Sequence, residues 1–407
     1  MREHLKRVAK VFTGTTPPTN IGRYYEHEDI LWFAPADIHS DSIELSEPKR
    51  ISKSFFDESG IRLYPARSVL MVGIGATVGK IGYSEKPFYT NQQINTIVFD
   101  ERKVLNRYGA YYLLNKSTEV NRKTPVVTLQ IFNQNKVKQL EIVYPSLADQ
   151  HRIVDYLDTK LAAIDKRIVV LEKQQDAYAR LKKSVIHQAV TRGLDPDVRL
   201  KESGIEWIGM IPEHWEVKRI KDICNVVCGA TPKDNTSYWD GNIIWISPAD
   251  MPEFGELAEG NRTITEQGYL SCGTSLVPAG SIVMSTRAPI GKTNIAVNDL
   301  CTNQGCKCLT SNKLYMKFML YSMWSKKGQF QALGRGTTFI ELSTKDLSLF
   351  LFAVPPLSEQ RAIANYLDEK CTKIDAAIEN IGKQIDASKR LKRAIINEVI
   401  SGKRMID

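Results

Sequence analysis

The sequence predicts an α/β (α+β) chain. Two globular units with twisted sheets are joined by two long helices packed as an antiparallel coiled coil, and the whole forms an internal pseudo-twofold repeat. Three observations predict this. Residues 145–192 align with 355–402 at an offset of 210 without a gap, and nineteen of these positions are identical, among them Gln150/Gln360, Tyr156/Tyr366, Leu157/Leu367, Asp158/Asp368, Ile164/Ile374 and Leu181/Leu391. Self-similarity at a fixed offset marks a duplicated structural unit. The aligned segments carry apolar residues at alternating three- and four-residue spacing, the seam pattern of long amphipathic helices. The stretches before them break instead into short β-like runs divided by Gly, Pro, Asn and Asp clusters.

The elements follow in chain order. A first globular unit spans 1–144, with β-like runs at Ser68–Val72, Gln93–Phe99 and Leu140–Tyr144. A helical segment spans 145–200: it starts at Pro145 with Asp149 in its first turn and ends near Gly193, before Asp195-Pro196. Its predicted seam is Leu157, Leu161, Ile164, Ile168 and Leu171, continued with a register shift by Tyr178, Leu181, Val185 and Ala189. The second globular unit, 201–354, repeats features of the first. LKRVAKVFTGTTP (5–17) answers VKRIKDICNVVCGATP (217–232), LWFAPADI (31–38) answers IIWISPADM (243–251), and TNQ at 90–92 answers TNQ at 302–304. Its β-like runs include Ser281–Ser285 and Phe350–Val354. The last segment, 355–407, starts at Pro356 with Ser358-Glu359-Gln360 and ends near Gly402. Its seam is Leu367, Ile374, Ile378, Ile381 and Ile385, continued by Leu391, Ile395 and Val399. About 40 helical residues make a rod of roughly 60 Å. Two similar helices in one chain bury such stripes most economically against each other, antiparallel.

Residues 71–82, MVGIGATVGKIG, resemble a phosphate-binding loop, but the spacing is wrong. A Walker loop needs G-x-x-x-x-G-K-[ST]; counting back from Gly79-Lys80 puts Ile74 where the first glycine belongs, and Ile81 follows the lysine. G-x-G-x-x-G fails at Val78. The second copy, MSTRAPIGKTNI (284–295), keeps the Gly-Lys pair as Gly291-Lys292 but not the other glycines. The sequence thus shares a strand, a turn and a Gly-Lys corner rather than a nucleotide cradle.

Composition narrows the function classes. No run approaches ~18 apolar residues, so no membrane span is predicted, and the N-terminal MREHLKRVAKVF has no signal-peptide core, which leaves the cytoplasm as the expected location. The net charge of +9, from 55 Lys+Arg against 46 Asp+Glu, favours a polyanionic partner. Seven cysteines, all after residue 220, suit a reduced compartment. Cys224, Cys228, Cys301, Cys306 and Cys308 do not match the usual zinc-knuckle spacings, so free structural thiols and no metal are expected. Catalytic signatures such as G-x-S-x-G, H-E-x-x-H, C-x-x-C and the [ND]-P-P-[YF] loop of base methyltransferases do not occur. Glu101-Arg102-Lys103 mimics a nuclease E-x-K without a matching acidic partner in the second copy. What recurs is polar and basic loops: Asn121-Arg122-Lys123-Thr124, Ser285-Thr286-Arg287 and Gly334-Arg335-Gly336-Thr337-Thr338. These side chains clamp phosphates and read base edges.

Two stretches carry a family resemblance. SGIEWIGMIPEHWEVKRIKDI (203–223) looks like the start of a target recognition domain in the specificity subunits of type I restriction–modification systems. The signature P-L-x-E-Q-x-x-I-x-x-Y-L-D at 356–368, with its copy at 145–158, is similar to that family's repeated helical regions. The resemblance covers nearly the whole chain. One departure is that the first unit begins at MREHLKRVAKV without the lead-in seen at Trp207–Trp215, which implies an N-terminal edge that is either trimmed or starts late.

The resemblance implies that 1–144 and 201–354 are target recognition domains, each reading one half of a bipartite, asymmetric double-stranded DNA site. The helices then set the spacing and dock two modification (methyltransferase) subunits, which carry S-adenosylmethionine, and ATP-dependent restriction subunits complete the nuclease. The chain itself is then non-catalytic and needs no cofactor. By matching positions, the expected DNA contacts are Lys80, Arg122, Lys123 and Thr128 in the first unit, and Arg287, Lys292, Arg335, Thr337 and Thr338 in the second. Asn91-Gln92 and Asn303-Gln304 are weaker candidates, because strand-end amides usually satisfy backbone groups. Two other readings stay open on sequence: a recognition partner of a different restriction or phage-defence enzyme, and a coiled-coil adaptor that does not touch DNA.

Overall fold

A computed structural model describes the chain apart from residues 27, 28, 62, 123–130, 337–339 and 407. It divides into two compact units, residues 1–173 with 381–407 and residues 174–380, each of which takes in part of both long helices.

In the first unit a four-stranded antiparallel sheet runs in the order Ala9–Thr13, Ile94–Phe99, Ser68–Val72, Ile81–Ser84. Its central run SVLMV is buried throughout because both faces are covered, and successive side chains point opposite ways. Val69 and Met71 join Ile81, Ile97, Tyr108 and Tyr111 on the face covered by the helix Asn106–Arg122. Leu70 and Val72 join Phe33, Phe55, Tyr64 and Phe88 on the other. A three-stranded sheet, Lys49–Ile51, Ile30–Phe33, Phe88–Thr90, has its last pair parallel. The β-like runs expected at 93–99 and 140–144 are strands Ile94–Phe99 and Glu141–Val143, the latter pairing with Arg2–His4.

The second unit repeats this plan with one strand more in its main sheet. Its main sheet is Asn225–Cys228, Cys306–Thr310, Ile282–Ser285, Thr293–Ala296, Phe254–Leu257, and its three-stranded sheet is Arg262–Ile264, Trp239–Ile246, Leu300–Thr302. Glu216–Arg219 pairs with Leu351–Val354 as Arg2–His4 does with Glu141–Val143. The Trp-containing lead-in forms a hairpin, Leu200–Glu202 with Met210–Pro212, and places Trp215 fully buried with its indole N–H on the Glu359 carboxylate at 3.0 Å.

The two long helices, Leu147–Arg192 and Leu357–Ile400, end at Gly193 and Gly402, whose positive φ of 75° and 71° makes the left-handed stop that glycine permits. The glutamine shared by both start motifs is a structural tie. Gln150 is fully buried, donates to the carbonyls of Lys103 and Pro145 (2.9 and 3.1 Å), and accepts from the Leu105 amide (2.9 Å). Gln360 makes the same bonds to Pro355 and Tyr315, 2.8 Å each. Asp158 likewise accepts from Tyr111 and pairs with Arg107, as Asp368 does with Tyr321 and Lys317.

Within each unit the helix segments run antiparallel, and the predicted seam residues Leu157, Leu161, Ile168, Leu171, Leu367, Ile374, Ile381 and Ile385 are buried, with Ile164 and Ile378 half-buried. The continuation of the stripe is corrected. Leu181 and Leu391 are 47% and 50% exposed, and the seam position beside each is a lysine. In the first unit Lys392 reaches both carboxylate oxygens of Asp165, at 2.6 and 2.8 Å. In the second, Lys182 reaches those of Asp375, at 2.7 and 2.6 Å. These are the same two residues of the repeat, since the offset of 210 carries Asp165 onto Asp375 and Lys182 onto Lys392. A seam lysine satisfied by a facing carboxylate displaces the leucine that hydrophobic periodicity alone would choose.

Candidate nucleic-acid interface

In the first unit three loops meet at one end of the main sheet. The Gly73 amide donates to the Gln93 carbonyl, and the Gly73 carbonyl accepts from the Phe132 amide, both at 2.7 Å. A Cβ on Gly73 would lie 2.3 Å from the Asn95 amide nitrogen and 2.8 Å from the Phe132 carbonyl, so the loops close only around glycine. Asn121, at the end of its helix, donates to the Val78 carbonyl at 3.0 Å, and Gly79 turns the corner with φ 91°. The glycines of MVGIGATVGKIG thus serve close approach and turning. Lys80 sits half-buried at this corner.

The second unit builds the same end from its own residues. The Thr286 amide donates to the Gly305 carbonyl (2.8 Å), the Leu342 amide to the Thr286 carbonyl (2.9 Å), and Gln331 to the Ile290 carbonyl (3.2 Å). Gly291 turns the corner with φ 100°. An exposed threonine–glutamine pair borders the end in both units: Thr16 donates to Gln92, and Thr231 to Gln304 at 2.6 Å. Behind it, the Trp32 and Trp245 indoles hold the carbonyls of Thr15 and Ala230, at 3.4 and 3.0 Å. Asp37 and Asp250 each accept a backbone amide at 2.8 Å. Burial works against the Asp250 charge, yet the bonds from Ser247 and Asn261 hold its carboxyl below the usual range.

On this common frame the side chains differ. Ile74 forms a bridge with Ile131 in the first unit, whereas the corresponding bridge in the second joins Arg287 to Glu341. Asn95, opposite Met71, corresponds to Lys307, opposite Met284. Glu341 Oε2 accepts from Arg287 at 3.0 Å and Oε1 from Lys307 at 3.3 Å. Arg335 is exposed and its backbone exchanges two hydrogen bonds with Glu341, at 3.0 and 2.9 Å.

Lys80, Arg287 and Arg335 therefore come to this end of their units, and Arg122 ends the helix that supplies Asn121. Lys123, Thr128, Thr337 and Thr338 lie outside the described residues. Lys292 is different: its ammonium donates to the carbonyls of Pro248 and Met251, at 2.9 and 2.7 Å, and so braces a turn instead of standing open to a phosphate. Asn91 and Asn303 cap the Gln93 and Gly305 amides, the backbone role expected of them, while Gln92 and Gln304 are exposed. Glu341 and Lys307 were not anticipated. The signal was present, since a lysine between buried cysteines in the strand CKCLT needs a counter-charge nearby.

The cysteines are free, and burial pushes the thiols of Cys224, Cys301 and Cys371 up to about 11 and that of Cys308 to about 12. Among the described residues no group of three or more His, Cys, Asp or Glu is placed to hold a metal, and no helix is long and apolar enough to cross a membrane.

Residues 3–173 and 212–387 match the model of the type I restriction modification DNA specificity domain. The chain is similar to the type I restriction enzyme MjaIX specificity subunit of Methanocaldococcus jannaschii, 37% identical over 44% of this chain and 41% of that one. It spans less than half of that relative's length. It is also similar to the putative MjaX specificity subunit of the same organism, 29% identical over 80% of this chain and 75% of the other. Its fold matches a chain in a solved structure of a type I R-M system, with TM-score 0.76, 18% identity and coverage of 98% and 97%.

Proposed function

Because the chain belongs to the type I restriction modification DNA specificity domain family, we propose that it is the non-catalytic DNA-reading subunit of such a complex. Residues 1–144 and 201–354 act as its target recognition domains, each reading one half of a bipartite, asymmetric double-stranded site. The observation that carries this reading is the contrast at the two loop-bearing ends. The backbone frame recurs down to individual hydrogen bonds, while an Ile74/Ile131 pair on one frame is replaced by Arg287, Lys307 and Glu341 on the other. Two readers of different sequences need a shared docking frame and different side chains at the base edges. The exposed Gln92 and Gln304, alike in both, suit the backbone contacts that every half-site offers.

The helices set the distance between the readers and dock two modification subunits. Leu181 and Leu391 support a pair of equivalent sites, since each unit exposes the leucine of the same repeat position within an Arg-Leu-Lys sequence. Methyl transfer with S-adenosylmethionine and ATP-dependent cleavage belong to modification and restriction subunits, and the complex works in the cytoplasm.

The test is DNA binding by the chain purified with its modification subunits, at increasing salt. Each phosphate contact steepens the slope of log K against log salt by about 0.9. A slope of several units and a preference for one bipartite sequence are expected. Salt-independent retention, or equal affinity for all duplexes, contradicts the reading.

A further inference from the structure

The second unit holds one arginine in an arrangement that its location alone does not require. Arg287 follows Thr286, whose amide and carbonyl are both engaged, so the backbone that bears the guanidinium is fixed at the strand end. The guanidinium meets one carboxylate oxygen of Glu341 through two of its nitrogens: Nε and Nη2 both lie 3.0 Å from Oε2. Arginine has five N–H donors in a planar fork. With the Nε–H donated to Glu341 and Nη2 in ion-pair contact with the same oxygen, the outer edge of the fork, Nη1 with Nη2, has no other partner among the described residues. That edge has the two-donor geometry that matches O6 and N7 of a guanine in the major groove.

Glu341 is itself fixed. Its other oxygen accepts from Lys307, whose side chain is almost fully buried in the strand Cys306–Thr310. Its backbone is bridged to both Arg287 and Arg335. The carboxylate thus pairs with two cations, Arg287 and Lys307, and the three-residue cluster stays positive overall. A carboxylate placed only to balance buried Lys307 has no need to span two nitrogens of a half-exposed arginine. A phosphate clamp gains nothing from an acid beside the phosphate.

We propose that Glu341 is a positioning residue for specificity: it locks the Arg287 guanidinium so that its free edge reads a guanine in the half-site of the second unit. The inference rests on the DNA-reading function proposed above. At the corresponding bridge the first unit has two isoleucines in place of the arginine and the acid.

The test uses the full chain assembled with its modification subunits and a set of duplexes carrying the recognised site with each base pair changed in turn. Wild-type protein is expected to discriminate about tenfold to a hundredfold against loss of one G·C pair read by this arginine. Glu341→Gln keeps the shape but weakens the lock. It should cut discrimination at that pair to within about threefold and leave every position of the other half-site unchanged, while the thermal midpoint of the second unit falls because the nearly buried Lys307 loses its counter-charge. Arg287→Lys keeps the charge but loses the fork, and should flatten the same position without changing the salt slope. The Glu341→Gln/Arg287→Lys double variant should be no flatter than Arg287→Lys alone.

Uniformly higher affinity of Glu341→Gln for all duplexes, with the wild-type profile kept, overturns the proposal and makes Glu341 only a neutralising charge. If Glu341→Gln fails to fold, an Arg287→Lys profile identical to wild type overturns it equally. Wild-type protein that discriminates at no position refutes the DNA-reading function itself, a result separate from either of these.

Discussion

The seam ion pairs give the sharpest quantitative prediction. Asp165→Asn leaves the Lys392 ammonium, on a side chain only 6% exposed, facing a neutral amide. Breaking a fully buried pair by removing one partner costs about 3–5 kcal/mol, whereas an exposed pair contributes about 0–1. Asp165 is 42% exposed, so water screens the carboxylate end and the expected coupling falls between these limits, at about 1–2 kcal/mol. The equivalent pair in the second unit is wetter, with Lys182 17% and Asp375 53% exposed, and its coupling should be smaller. The assay is a double-mutant cycle at each pair: Asp165→Asn, Lys392→Met and both together, then Asp375→Asn, Lys182→Met and both. Hydrogen exchange read on peptides of each unit keeps the two cycles separate in a chain where two-state unfolding is not assured. Each double variant should recover part of the loss of its single variants, because a methionine in place of the lysine packs in the apolar seam. Additivity within about 0.5 kcal/mol at both pairs, or a larger coupling at the wetter pair, refutes the reasoning.

Five further outcomes are expected. Arg335→Ala should weaken binding to DNA altered in the first half-site and to unaltered DNA alike, yet remove discrimination only within the second half-site; equal loss of discrimination in both halves counts against separate readers. Gly229→Ala places a Cβ 2.1 Å from the Thr302 carbonyl oxygen and should destabilise the second unit by about 1–3 kcal/mol in thermal unfolding. Gly328→Ala, a helical position with open space, should be neutral or slightly stabilising in the same thermal measurement. Trp215→Ala empties a fully buried site and should cost about 3–5 kcal/mol in denaturant unfolding. Burial pushes Lys326 down to about 8, against about 10.4 in an unfolded chain. Between those values the unfolded state binds more protons, so stability should rise with pH through this window. A wild type less stable than Lys326→Met at pH 7, with the gap closing toward pH 10, is the expected signature.

The helices were legible in the sequence because a 3–4 stripe, a Pro-x-x-x-x-Gln start and a closing glycine all point the same way over forty-odd residues. The strand positions were legible for a similar reason, since short apolar runs such as SVLMV stand between turn residues. The seam side chain was not. Periodicity weighs only apolarity, so it chose Leu181 and Leu391, while the structure puts Lys182 and Lys392 inward because Asp375 and Asp165 face them. The candidate site was half legible. Arg287 and Arg335 stood out as basic residues in loops, but Lys292 shares their chemistry and is engaged with two carbonyls that lie over forty residues away. Glu341 escaped notice because a single acid among hydrophobic residues gains meaning only once the fold brings Lys307 and Arg287 to it.

The proposed function requires two readers on one chain that recognise two different half-sites. Methylome sequencing of cells that carry the modification subunit, with and without this chain, tests it most directly. One asymmetric bipartite motif, methylated on adenine in both halves, is expected to appear only when the chain is present, and Arg287→Lys is expected to relax a single position in one half. An unchanged methylome, or one continuous motif altered throughout by that substitution, would contradict it.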